Sequence, residues 1–244
     1  GASAEARTQL GWLVLRNPGG RLDVVAHGSY RQVDGDALRD LQAGGGVNAS
    51  GAVGPSVMTA KLDGERRWLN QAGLAWNAGL TLGAALPFAQ QVALPEIELR
   101  SWRFDDLAGE DGVLVAIRYR HWLPLADGDP RRRVEVSAGG GRYQAERDLS
   151  TYNQTRIDAG VRGRVGPDHG AGRWDFSAGG WYEFRDYCAG TRERHHTGVI
   201  ASIDRWLTAQ LALGIEAGWE GVTDQPGSAQ RDQLQASLRA TAAF

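Results

Sequence analysis

Residues 234–244 read LQASLRATAAF, and they alternate between two kinds of side chain. Counting back by twos from Phe244 gives only apolar residues, namely Ala242, Ala240, Leu238, Ala236 and Leu234. The residues between them are polar apart from one alanine. A period of two predicts a β-strand with one apolar face. The alternation alone leaves open whether that face contacts a protein core or lipid.

The same period runs through most of the chain. It is clearest at residues 74–88 and 207–219, and it recurs at residues 21–31, 112–122, 132–143, 156–165 and 173–185. Turn signals rich in glycine, proline and aspartate separate these segments, as at residues 17–20, 34–36, 54–55, 127–130, 166–168 and 225–227. We therefore expect an all-β chain of about 12–14 antiparallel strands, each roughly 10–14 residues long.

The strand count depends on residues 55–90. Asp63-Gly64 is a dipeptide typical of a tight hairpin, and a turn there would split one long segment into two. Counting by period gives about 13 strands, whereas bacterial single-chain barrels prefer even numbers. Twelve and fourteen strands both stay open at this point.

Composition excludes several classes of protein. The chain has 244 residues, a net charge of −2, and a single lysine, Lys61, among its 27 basic residues, so it lacks the basic footprint of a nucleic-acid-binding protein. One cysteine, Cys188, excludes an intramolecular disulfide framework and a thiolate metal cage. We expect no cofactor and no resident metal. Residues 1–5 are expected to be a signal-peptide remnant or a cloning scar, and residues 6–244 a single barrel domain.

The second face of the strands decides which side contacts lipid. It contains charges of both signs at neighbouring positions, which suits arginine–carboxylate pairs inside a barrel. The strands are long, and the apolar face is rich in alanine and glycine, which is thin filling for a soluble core. These observations favour an up-and-down transmembrane β-barrel with the apolar face outside; a soluble β fold is the alternative. The predicted lumen and selectivity residues are Glu96, Glu98, Arg100, Arg118, Arg120, Asp158, Arg162, Arg164, Glu216 and Arg239.

Two segments resemble a Gram-negative outer-membrane β-barrel protein. They are the terminal strand QLQASLRATAAF, residues 233–244, and the hairpin IDRWLTAQLALGIEAGW, residues 203–219, with a predicted turn at Asp204-Arg205. The resemblance implies a location in the bacterial outer membrane, in contact with its lipid and lipopolysaccharide. It also implies that Phe244, Leu238 and Leu234 form the signal read by the barrel assembly machinery. Polysaccharide-export barrels and small barrels of the YaiO type are both compatible, so a polysaccharide or a periplasmic protein is a candidate partner.

Orientation follows if the C-terminus is periplasmic. Residues 17–20, 125–130, 166–171 and 204–205 then become periplasmic turns. Residues 33–38, 104–112, 146–151, 187–192 and 222–230 become extracellular loops, all of them short.

Candidate chemistry outside the lumen is sparse. His27 and Ser29 form a His-x-Ser pair on one strand face, which resembles the pair in outer-membrane lipid hydrolases and is the one catalytic candidate. The pair shares its face with charged residues, whereas a lipid hydrolase needs it towards lipid. His195 and His196 are adjacent, so we expect them on opposite faces and not on one metal. An acidic loop at residues 105–111 is expected to be solvated, although oxygen ligands there could hold calcium.

The sequence thus predicts a non-enzymatic barrel. Its favoured function is a pore or an export and anchoring conduit for polar or polymeric solutes, with the charged lumen as the selective element. A sealed structural barrel that serves protein partners stays open, as does the hydrolase.

Overall fold

The computed structural model describes residues 3–17, 19–33, 38–70, 72–125, 132–167, 171–189, 192–224 and 231–242. Thirteen strands fill most of these ranges, and two single-turn 3-10 helices, Ala108–Glu110 and Asp148–Ser150, lie in loops. The strands are β1 Ser3–Asn17, β2 Gly20–Val33, β3 Leu38–Val53, β4 Ser56–Leu69, β5 Ala72–Phe88, β6 Gln91–Phe104, β7 Gly112–Pro124, β8 Arg133–Ala145, β9 Tyr152–Val165, β10 Trp174–Tyr187, β11 Glu193–Trp206, β12 Leu211–Thr223 and β13 Arg231–Ala242. Across the described ranges, no helix is long and apolar enough to cross a membrane.

The strands form one antiparallel up-and-down sheet. Each strand pairs with its neighbours in the chain, in the order β1 to β13, as the predicted fold class requires. The strands contain between 12 and 17 residues, which is long enough for a tilted crossing of a bilayer. Thirteen lies inside the predicted range of 12–14. Because the number is odd, the end strands β1 and β13 run in the same direction.

The two faces of the sheet separate apolar from charged residues. Isoleucines stand exposed on the outer face of β6, β7, β9 and β12, with 54% of Ile97, 62% of Ile117, 52% of Ile157 and 55% of Ile215 accessible. The alternate residues point inwards and carry the carboxylates and guanidinium groups. This distribution is that of a barrel with its apolar side against lipid and its polar side around the lumen.

The hairpin at Asp63-Gly64, which the sequence left open, does not form. Both residues lie within β4, where Asp63 pairs with Gly46 of β3 and with Gly79 of β5. The Asp63 side chain is only 9% exposed and faces the guanidinium of Arg100. Asp63 is polar because it lies on the charged inner face, and an aspartate followed by glycine is also a common turn sequence.

The predicted turn at Asp204-Arg205 is also displaced. Both residues belong to β11, and the turn occupies residues 207–210 before β12 begins at Leu211. The Thr208 hydroxyl accepts hydrogen bonds from the backbone N–H of Gln210 at 3.1 Å and of Leu211 at 2.9 Å. The apolar–polar alternation of the sequence continues through this turn, because Thr208 is as polar as the inward-facing residues of a strand. The pattern therefore does not mark the position of the turn.

Other turn predictions are confirmed where the residues are described. Gly54, with a φ of +59°, connects β3 to β4, and residues 166–167 follow the end of β9. Asn70 closes the β4–β5 connection in the left-handed region, and its Oδ1 accepts from the Arg39 N–H at 2.8 Å. The signals at 34–36, 127–130 and 225–227 lie outside the described residues.

Candidate functional site in the barrel lumen

The structure places most of the predicted lumen residues on the inner face and divides them between two groups. The first group, called here the β4–β6 network, is centred on Arg100. The second, called the β7–β10 wall, contains Arg118, Arg120, Asp158 and Arg162. The two groups differ in how completely their charges are paired, and that difference determines what each can do.

Arg100 is the centre of the β4–β6 network. Its Nε donates to Glu98 at 2.8 Å, and its Nη1 donates to Asp63 at 3.0 Å and to the Asn77 side-chain oxygen at 2.7 Å. Arg100 has 16% of its side chain exposed, and Asn77 is buried. A guanidinium held by three partners in a largely buried setting has little capacity left for a solute. The protein's own acceptors therefore occupy the Arg100 guanidinium along β4–β6.

The network continues onto β2 and β3. Arg67 donates to both carboxylate oxygens of Asp40, at 2.9 and 2.5 Å. The Glu65 carboxylate lies 3.1 Å from His27 Nε2 and accepts from Asn77 at 3.3 Å. Adjacent inner-face residues are therefore joined across four strands.

The candidate catalytic pair is part of this network. Ser29 donates to the Gln42 side chain at 3.2 Å, while the His27 ring contacts Glu65. Both residues are described in full, and no hydrogen bond joins one to the other. The pair faces the lumen, as its position on the charged face predicts. Each side chain is held by a separate partner on a neighbouring strand.

The β7–β10 wall combines contacts between strands with ion pairs along a single strand. The Arg120 guanidinium contacts Glu96 of β6, and Arg133 Nε donates to Glu135 at 2.7 Å. Arg156 donates to Asp158 at 2.7 Å, and Ser137 donates to the other oxygen of the same carboxylate at 2.8 Å. The register explains the contact between Ser137 and Asp158, because these residues are direct partners across β8 and β9.

The inner surface of the wall contains an open recess of about 350 Å³. Four arginines and two carboxylates line it, namely Arg118, Arg120, Arg156, Arg162, Glu135 and Asp158. Its floor is a pair of glycines, since Gly160 of β9 is the direct partner of Gly179 of β10. With no side chain at either position, the inner face is recessed between the longer residues on both sides.

Positive charge exceeds negative charge in this wall. Arg118 is exposed, and within the described part of the chain it forms no ion pair under 4 Å, although its field reaches Asp158. Arg162 is 61% exposed and only approaches Glu135, at 3.4 Å, whose other oxygen is held by Arg133. The ion-pair partners of the lining residues add Arg133, Glu96 and Glu183, and Glu183 also pairs with Arg185, which gives six arginines against four carboxylates among the described residues.

Three of the predicted lumen residues lie elsewhere. Arg164 donates to Asp175 at 2.7 Å, close to the turn between β9 and β10, and the Trp206 indole N–H donates to the same carboxylate at 2.8 Å. Glu216 lies on the inner face of β12, opposite Ser202. Arg239 pairs through its backbone with Gly214, and its side chain lies outside the described residues.

The predicted assembly signal is described in part. Leu234 pairs with Trp219 and is 82% exposed on the outer face. The Leu238 backbone pairs with Ile215, while its side chain and the whole of Phe244 lie outside the described residues. Recognition by the assembly machinery stays a prediction.

The two neighbouring histidines point to opposite faces. The Tyr182 hydroxyl lies 2.7 Å from His195 Nδ1 on the outer face, and His196 contacts Glu220 on the inner face. His196 also meets the Trp181 ring edge-on, with 6.1 Å between ring centroids. Over the described ranges, no group of three or more potential ligands gathers to hold a metal. In the acidic loop, Asp105 is held by Arg66.

Sequence reasoning did not select Arg156, Trp181 or the glycine floor. Arg156 and Asp158 are two residues apart on one strand, so this spacing could have indicated an ion pair along the inner face. Trp181 lies on the polar face of its strand, where the Arg156 guanidinium is 5.5 Å from its ring centroid. The Gly160–Gly179 pairing depends on register between strands, and neither glycine signals it alone.

Comparison with known proteins identifies the fold. No protein-family model matches the sequence, and no curated protein matches it significantly. A solved structure of a loop L8 deletion mutant of OmpT, an outer membrane protein of Vibrio cholerae, matches with a TM-score of 0.52 and 11% identity, over 98% of this chain and 97% of that chain. OmpT folded in vitro matches with a TM-score of 0.47 and 9% identity, over 91% of this chain and 86% of that chain. At 11% identity the first likeness shows the fold, which is that of a bacterial outer-membrane β-barrel. An outer-membrane location agrees with that fold and with the apolar exterior.

Proposed function

We propose that the chain forms a passage through the outer membrane for polar solutes, including polymeric solutes such as an exopolysaccharide. The selective element is the β7–β10 wall. The observation that carries this proposal is a solvent-accessible cavity on the inner face whose arginines outnumber its carboxylates. A completely paired lumen would present no net charge to a solute, whereas this wall presents an excess of two positive charges.

The test is single-channel recording of the detergent-folded chain in planar bilayers, with a salt gradient to determine ion preference. We expect a steady conductance that prefers anions. Arg118→Glu changes the local charge by two and removes the excess, so the preference for anions should fall to near zero or reverse. Arg142→Glu is the matched control, because Arg142 is also exposed but lies on the outer face of β8. Unchanged ion preference in Arg118→Glu, or equal change in Arg142→Glu, contradicts the proposal.

A sealed barrel is the second candidate function. The specific observation in its favour is the β4–β6 network, in which Arg100 is held by Glu98, Asp63 and Asn77. A folded chain that needs detergent and passes no current in any recording supports the sealed barrel. The search would then turn to protein partners at either end of the barrel.

A further inference from the structure

The recess in the β7–β10 wall has the composition of a ligand site as well as that of a channel lining. It is flanked by exposed guanidinium groups and floored by glycine backbone, and it contains hydroxyl groups from Ser137 and Ser177. We propose that it binds one oxyanion group of a solute, a carboxylate or a phosphoryl group. The proposal deepens the proposed function, on which it rests only in requiring the lumen to be open to solutes.

The register sets the size of the recess. Asp158, Gly160 and Arg162 are successive inward residues of β9, so the glycine is flanked by one charged position on each side. At about 3.3 Å per residue, the Cα atoms of Asp158 and Arg162 are about 13 Å apart. The across-strand partners of Gly160 are Glu135 and Gly179. A carboxylate or phosphoryl group fits this gap, and arginine side chains are long enough to reach into it from both sides.

The ion pairs that the arginines do or do not form indicate whether the recess binds an anion or a cation. Arg118 has no ion-pair partner among the described residues, and the one contact of Arg162 is a carboxylate oxygen at 3.4 Å. The carboxylates of the wall are already occupied, since Asp158 accepts from Arg156 and Ser137, and Glu135 accepts from Arg133. Free donors therefore come from guanidinium groups, whose fork geometry matches an oxyanion. A cationic ligand would meet no free acceptor of comparable strength.

Binding is measured on the whole chain folded in detergent, at constant ionic strength, by isothermal titration calorimetry. The probes are sodium glucuronate for a carboxylate, inorganic phosphate for a phosphoryl group, and glucose as the neutral control. We expect at least one anion to bind and glucose not to bind. Losing a charge-assisted, two-point hydrogen bond should weaken binding at least about tenfold in Arg162→Gln. Arg118→Gln is the second variant, and either substitution removes an exposed side chain.

Arg21→Gln is the matched control. Arg21 is an arginine near the other end of the sheet order, on β2, with 59% of its side chain exposed against 61% for Arg162, and it is paired with Asp23. Arg21→Gln removes one positive charge from the inner face, as Arg162→Gln does, and it should leave the dissociation constant of the anion unchanged. Equal weakening in Arg21→Gln would show a general electrostatic effect and overturn the site.

Trp181 gives a second readout because it lines the cavity. Anion titration should change the tryptophan fluorescence of the parent chain, and Trp181→Phe should remove most of that change. The inference is overturned if neither anion binds. It is also overturned if binding leaves the fluorescence of Trp181 unchanged and is not weakened in Arg162→Gln. Binding without conductance contradicts the passage alone, whereas conductance without binding contradicts the site alone.

Discussion

Replacing Arg100 with methionine tests whether the β4–β6 network holds this part of the barrel together. Methionine keeps much of the length and the apolar stem but removes all the donors. Asp63, only 9% exposed, loses the guanidinium 3.0 Å away, and the buried Asn77 oxygen loses a donor at 2.7 Å. Glu98, 26% exposed, loses its partner at 2.8 Å. The substitution therefore leaves two carboxylates and one amide without the group that joined them.

The magnitude follows from burial. Breaking a buried ion pair by removing one partner costs about 3–5 kcal/mol. Two features reduce this value here: Lys61 stays 3.2 Å from Asp63, and Glu98 is exposed enough to recover water. We expect Arg100→Met to lower the free energy of unfolding by about 2–3 kcal/mol. Arg21→Met, which removes one exposed pair with Asp23, should cost much less, because solvent screens an exposed ion pair.

The assay is reversible urea unfolding of the chain in lipid vesicles, followed by tryptophan fluorescence. Both variants must show the denaturant dependence of the parent, so that their free energies are comparable. A loss below about 1 kcal/mol for Arg100→Met would refute the reasoning, because the network would then be solvated and replaceable. A loss in Arg21→Met as large as in Arg100→Met would refute it as well, since burial would not distinguish the two pairs.

Two further substitutions use the same unfolding assay. Thr208→Val removes the hydroxyl that accepts from Gln210 and Leu211 in the β11–β12 turn, and it should cost about 1 kcal/mol; a neutral result would show that the backbone alone holds the turn. Ile117→Arg puts a charge on the middle of the lipid face and should cost about 2–4 kcal/mol, whereas Leu149→Arg, at the same 62% exposure but in a 3-10 turn outside the strands, should be nearly neutral. Equal costs at these two positions would contradict the assignment of the outer face to lipid.

The two inner groups differ in how their charges are paired, and this difference bears on the two candidate functions. In the β4–β6 network, carboxylate and amide oxygens surround the Arg100 guanidinium, so its donors are occupied by the protein itself. In the β7–β10 wall, glycines replace bulky residues and arginines outnumber carboxylates, so the same kind of surface stays open and positive. The conductance and binding experiments address the second group, and the unfolding experiment addresses the first.

The alternating pattern was enough to predict the strands and their faces, because a period of two is a local property of the backbone. It predicts alternate faces for neighbouring residues such as Ile117 and Arg118, and the sheet places these two residues on opposite faces. It was less reliable at chain reversals, because turns and inward-facing positions use the same polar residues. Asp63-Gly64, inside a strand, therefore stayed a candidate turn, and the turn after Trp206 was placed at Asp204-Arg205.

What the sequence by itself determined is the all-β fold, the approximate number and length of the strands, and the face on which the charges lie. Only the tertiary structure decided which charges meet. Asp63 and Arg100 are 37 residues apart, and Glu96 and Arg120 are 24 apart; inter-strand register brings each pair together. Register also set Gly160 beside Gly179 and left Arg118 without an ion-pair partner among the described residues. The candidate site depends on that register because its parts come from several neighbouring strands, β7 to β10.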